Sequence, residues 1–141
     1  MLDAAVRTLT ATPLSTSVFF TVCGTAHGQA CVIERTQREA VVRPMPGPVL
    51  VQANHHVAGR FIKNNEDILE GEEDEDVFSL AGSGRRADTL RRALLEIPSS
   101  GDLDTLASAL NTPTVLNQDT CQQMVFCPGS GEVKVWRRAA G

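Results

Sequence analysis

Tyrosine is absent from this 141-residue chain, and aromatic residues make up only 4% of it. No basic patch is interleaved with rings that could stack on bases, so nucleic-acid binding has little support. Apolar runs are short, and none approaches the roughly 20 residues needed to span a bilayer. The N-terminus, Met1-Leu-Asp-Ala-Ala-Val-Arg7, lacks a basic segment followed by an apolar core and does not read as a signal peptide. Taken alone, the chain is expected in the cytoplasm, unless an address signal lies upstream. No internal repeat is visible. The four cysteines, Cys23, Cys31, Cys121 and Cys127, form neither a CxxC nor another zinc spacing. Cys121 and Cys127 fall in one expected strand, roughly 20 Å apart if extended, and cannot bond each other there. Cys23 and Cys31 could face each other across a hairpin, which leaves a disulfide open beside the plainer reading of small buried hydrophobes.

What is present is ordinary for a globular domain: 42% hydrophobic and 21% charged residues. The length suits one domain with a real core. The net charge of -4 conceals an asymmetry, because eight of the 17 acidic residues lie between Glu66 and Asp76. The segment 70–76 is too polar and self-repelling to pack. It lacks the alternating ligands and closing Glu of a calcium loop. The chain is therefore read as one domain, 1–141, carrying an acidic mobile insertion at about 64–78.

Periodicity gives the remaining order. Leu2, Ala5, Val6 and Leu9 fall at helical spacing, and Thr12-Pro13 stops that helix. Residues 17–23 and 29–34 read as two strands joined by the turn Thr25-Ala-His-Gly28. A short third strand is expected at 40–43. A fourth, at 49–53, follows the stiff loop Pro44-Met-Pro-Gly-Pro48. Ser83-Gly-Arg-Arg86 opens a helix to about Glu96, with Leu90, Ala93, Leu94 and Ile97 as its apolar face. Asp102 caps a second helix through Leu110, with Leu103, Leu106 and Leu110 facing inward. A last hairpin joins 122–127 to 132–136. Helix, strands, two helices and strands in that order predict an α+β layered architecture, mostly antiparallel, with the helices packed on the sheet. The strands carry apolar residues on both faces, which calls for a second layer from outside these elements. The isolated chain is accordingly expected to pair with itself or another chain.

The stretch most suggestive of a site is Pro48-Val-Leu-Val-Gln-Ala-Asn-His-His56. An apolar run ends in an amide and two imidazoles. A rigid strand delivering polar groups at its tip is a common way to build a cleft wall. From spacing alone, Asn54 satisfying backbone in a turn is the plainer expectation. Histidine as a residue type titrates near neutrality, but for His55 and His56 packing or lining a substrate wall is favoured over a general-base role. His27, in a turn, is expected to be solvated.

Several short motifs, in one order over about 130 residues, resemble the acid ceramidase and N-acylethanolamine acid amidase family. They are Thr8-Leu-Thr-Ala-Thr-Pro-Leu14, His27-Gly-Gln-Ala-Cys-Val-Ile-Glu-Arg-Thr36, Val49-Leu-Val-Gln-Ala-Asn-His55, Arg85-Arg86 opening a helix, and Val115-Leu-Asn-Gln-Asp-Thr120. Penicillin acyltransferases and bile-salt hydrolases (choloylglycine hydrolases) are more distantly similar. All are N-terminal nucleophile (Ntn) hydrolases, with two sheets between helical layers, an αββα sandwich. The resemblance covers only the C-terminal portion of such an enzyme. It implies hydrolysis of a linear or lipid amide without a cofactor. The thiolate of a cysteine freed at a new N-terminus attacks the carbonyl, and its own α-amino group serves as base.

On the same resemblance, Asn54 matches the oxyanion donor and either Arg85 or Arg86 the site arginine. Arg35, His55 and His56 are candidate binding residues. Arg35 could equally pair with Glu34 or Glu39. The nucleophile has no counterpart in this chain. The chain is then expected to be inactive alone and to need a separate N-terminal half. A non-catalytic binding or oligomerisation module, acting as a homo-oligomer, is the alternative. A small complete enzyme cleaved before Cys31 is a third, remote one.

Overall fold

The computed structural model describes residues 2–68 and 80–137. The expected helix at the start is present as α1, Leu2–Ala11. Thr8, whose carbonyl receives both the N–H and the hydroxyl of Thr12, marks its last turn, and Pro13 prevents a further one.

Three strands follow: β1 (Val18–Cys23), β2 (Ala30–Arg35) and β3 (Ala40–Pro44). They form an antiparallel sheet with β2 in the centre. Gly28 makes the β1–β2 turn with φ of 75°, a conformation without penalty only for glycine. Strand alternation divides the sheet into two faces. The register puts Val18, Phe20 and Val22 with Cys31, Ile33 and Arg35 on one face, and Phe19 and Thr21 with Val32 and Glu34 on the other. Five consecutive β2 residues, 31–35, are buried, so both faces are covered. α1 packs against β1 and β2. The segment 51–61, with Val51, His56, Ala58 and Phe61 all buried, closes the other side.

The same register settles the cysteine question. Cys23 lies opposite Ala30, and Cys31 opposite Val22, so the two thiols point to opposite faces. All four cysteines are free.

A 3₁₀ helix spans Gly59–Ile68. The insertion expected at 64–78 is therefore packed at its beginning, where Asn65 is buried. The acidic run itself lies outside the described residues. α2 spans Leu80–Leu95, starting earlier than the expected opening at Ser83. Leu90, Ala93 and Leu94 are half-buried on its inner face. α3 spans Leu103–Leu110, and the Asp102 carboxylate accepts the Thr105 N–H at 2.8 Å as its N-cap. The final hairpin pairs β4 (Gln122–Cys127) with β5 (Glu132–Arg137) as a separate two-stranded sheet. One of its faces meets α3: Gln123 donates to the Leu110 carbonyl at 2.8 Å, and Lys134 pairs with Asp104 at 2.8 Å. The architecture is mixed α+β with antiparallel sheets. Among the described residues, no helix is long and apolar enough to cross a membrane.

Candidate functional site

Glu34 is the anchor of the region around Asn54. It sits in the middle of an apolar strand, and its side chain is fully buried. A buried carboxylate is tolerated only when paired and fully hydrogen-bonded. Here each oxygen receives two donors. Oε1 accepts from Arg43 Nε at 2.5 Å and from the Ala58 N–H at 2.9 Å. Oε2 accepts from the Val57 N–H at 3.0 Å and faces His56 Nδ1 at 3.1 Å. The other end of Arg43 donates to Gln52 Oε1. The Gln52 amide in turn donates to the carbonyls of Ala53 and His55, at 2.8 and 2.7 Å. Asn65 brackets the His56 main chain, accepting its N–H at 2.7 Å and donating to its carbonyl at 2.9 Å. The His56 ring meets Phe19 and Phe61 edge to face, with centroids 4.8 and 5.4 Å away.

This network corrects the expectation of a fourth strand at 49–53. The segment is not a strand, and the sheet has three. Side chains take over the role that a ladder would have had, with Arg43 held on Gln52 and Gln52 holding the carbonyls of Ala53 and His55. Asn54 is positioned by Glu34, Arg43 and Gln52 instead.

A second anchor comes from α2. Ser83, fully buried, accepts the Asn54 N–H at 2.8 Å, and its hydroxyl lies 2.8 Å from His55 Nδ1. Arg86, three residues on and on the same helical face, is half-buried, and desolvation lowers its pKa. Burial also lowers the pKa of His55. Glu34 opposes that shift, the charges of Arg43 and Arg86 add to it, and Asp88 opposes it. Arg85 is exposed, so Arg86 is the arginine close enough to be felt at His55.

The side chain of Asn54 is exposed, and among the described residues its amide makes no hydrogen bond. It lines an open cleft with His56, Phe19, Ser17, Thr36 and Lys63. Among the described residues the expectation that it satisfies nearby backbone does not hold: its main chain is tied down, and its side-chain amide makes no hydrogen bond.

Arg35 is elsewhere. Alternation along β2 sends it to the face opposite Glu34, where it is 2% exposed. Its guanidinium donates to the carbonyls of Leu9, Thr12 (2.9 Å) and Glu39 (3.2 Å). It satisfies the end of α1, as cations at helix C-termini do, and does not face the cleft. Neither Glu34 nor the Glu39 carboxylate is its partner. Glu39 instead pairs with Arg60 at 2.6 Å.

The structure thus gathers Asn54, His55 and Arg86 around Ser83, sets His56 on Glu34, and leaves Arg35 and Arg85 apart. Sequence reasoning missed Glu34, Arg43, Gln52, Asn65 and Ser83. Two of them left a signal. Glu34 is a carboxylate inside an otherwise apolar strand, and Ser83 stands one helical turn before Arg86. Cys31 lies in the sheet interior, where burial raises its pKa and the nearby Cys23 adds to the shift. Among the described residues, no group of three or more His, Cys, Asp or Glu is placed to hold a metal ion. The chemistry on offer is a neutral amide donor, a neutral imidazole and a fixed cation. No protein-family model matches the chain, and no curated protein matches it in sequence.

Proposed function

We propose that this chain is the oxyanion-side wall of an amide-hydrolysing enzyme of the acid ceramidase type. The attacking cysteine is contributed by a segment outside this sequence. The observation that carries the reading is Asn54, whose main chain is fixed on the buried Ser83 while its side-chain amide projects free into a cleft. A donor held this way need not reorganise as charge develops on a carbonyl oxygen, which is how a single amide accelerates acyl transfer. Arg86 adds a positive charge that is felt at the neighbouring His55. The substrate class is a linear amide with an acyl chain, and no cofactor is required.

The test is reconstitution. The chain is mixed with a second polypeptide that begins with cysteine and carries the nucleophile half, such as the product of the reading frame immediately upstream. Turnover of a fluorogenic acyl amide should require both chains. Turnover by the chain alone, or by no combination, overturns the proposal.

One observation favours the alternative, a non-catalytic oligomerisation module. Met124, Phe126, Val133 and Val135 share one face of the β4–β5 hairpin and all four are exposed. Under that reading the chain self-associates through this face, and Phe126→Asp makes it monomeric in sedimentation velocity.

A further inference from the structure

A hydroxyl donates one hydrogen and accepts through two lone pairs. The Ser83 hydroxyl is fully buried, so its proton needs an acceptor. One of its lone pairs already receives the Asn54 N–H at 2.8 Å. Among the described residues its other partner is His55 Nδ1, also at 2.8 Å. If Nδ1 carried a proton, that N–H and the Asn54 N–H would both point at the same oxygen, and the hydroxyl proton would be buried without a partner. The satisfied arrangement has Ser83 donating to an unprotonated Nδ1.

We infer that Ser83 is a positioning residue. It holds neutral His55 with its proton on Nε2, so that the outer nitrogen of the ring is a hydrogen-bond donor. His55 then has no free basic nitrogen for a group in the cleft, because Nδ1 accepts from the buried Ser83 hydroxyl. The next residue is set the other way. His56 turns Nδ1 to the Glu34 carboxylate, which only accepts, so Nδ1 of His56 carries a proton. Adjacent histidines are held in opposite proton placements by a serine on one side and a glutamate on the other. What the Nε2–H of His55 acts on rests on the amidase reading, in which Asn54 is the donor to the carbonyl oxygen of an acyl amide. The tautomer itself does not rest on it.

The experiment is long-range ¹H–¹⁵N correlation of the imidazole rings in the labelled full chain at neutral pH. It reads proton placement without turnover, so its failure and the failure of the amidase reading are separate events. His55 should show the Nε2–H pattern and His56 a protonated Nδ1, with exposed His27 as the averaging reference. Ser83→Ala should collapse the His55 preference and expose the Asn54 amide to exchange, while the amides of Val57 and Ala58, held by Glu34, keep their protection. Ser83→Thr, which retains the hydroxyl, should restore the pattern. An Nδ1–H pattern for His55 in the unmodified chain overturns the inference, and so does an unchanged His55 pattern in folded Ser83→Ala. If Ser83→Ala does not fold, the unmodified chain and Ser83→Thr decide it by the same two patterns.

Discussion

Glu34 and Arg35 are neighbours on β2, both buried, opposite in charge and directed to opposite faces. Arg35 reaches three backbone carbonyls and fastens α1 to the sheet. Its partners belong to main chain that any sequence would supply, and the result is a closed structural joint. Glu34 gathers an arginine, a histidine and two backbone N–H groups from the segment 56–58, and that segment carries the cleft. Burial of a charge therefore has two meanings within one strand. On one face it ends a helix. On the other it replaces a missing strand ladder and holds Asn54 where its amide stays free.

Removing each charge should separate the two roles. Glu34→Ala leaves Arg43 and the N–H groups of Val57 and Ala58 without a carboxylate, and a broken buried pair costs about 3–5 kcal/mol. Urea unfolding should show a loss of that size, and hydrogen exchange should open 54–58 before α1. Arg35→Met keeps the apolar stem and abandons three carbonyls, at a cost of about 1–3 kcal/mol. Here the end of α1 should lose order while Val57 and Ala58 keep their protection. Equal loosening of both regions by both substitutions would break the comparison.

Smaller effects sharpen it. The folded state lowers the pKa of His55 from its ordinary 6.5. In the unfolded chain the same ring takes up a proton first as pH falls. The stability that neutral His55 contributes is thus complete above about 6.5 and is lost as pH drops towards the lower folded value. The stability difference between the unmodified chain and His55→Gln should shrink across that window. Least of all, Arg86→Ala should raise the His55 pKa, because a cation that opposes protonation has been removed. Arg85→Ala should leave that pKa alone and change stability by no more than about 0.5 kcal/mol, as exposed substitutions do.

Most elements were legible in the sequence. The hydrophobic spacing of Leu2, Ala5, Val6 and Leu9, the Asp102 cap and the β-branched runs are local signals, and local signals set element type. The stretch at 48–56 showed what such reasoning omits. Its apolar run reads as a strand, but its main chain is held by the side chain of Gln52, which Arg43 holds in turn, and the Arg43 contact is made in space rather than along the chain. The motif leaves Arg35 open between the cleft and a pair with Glu34, Glu39 or another surface acid, and strand parity carries it to the far face, where it holds backbone carbonyls instead. The choice between Arg85 and Arg86 needed the position of Ser83, because only the structure fixes which helical face meets the His55 corner. Glu34 was visible as a charge in an apolar strand, yet its four donors come from residues 43 and 56–58 and could not be assigned in advance.

The central claim is that the free amide of Asn54 is the working group of this wall. Its most direct test is Asn54→Ala in the reconstituted two-chain assay, with folding checked by urea unfolding. Asn54 is exposed and, among the described residues, its side chain makes no hydrogen bond, so stability should stay within about 0.5 kcal/mol of the unmodified chain. Turnover should fall about 100- to 1000-fold, the loss expected for one oxyanion donor. Turnover that survives Asn54→Ala unchanged would contradict the account.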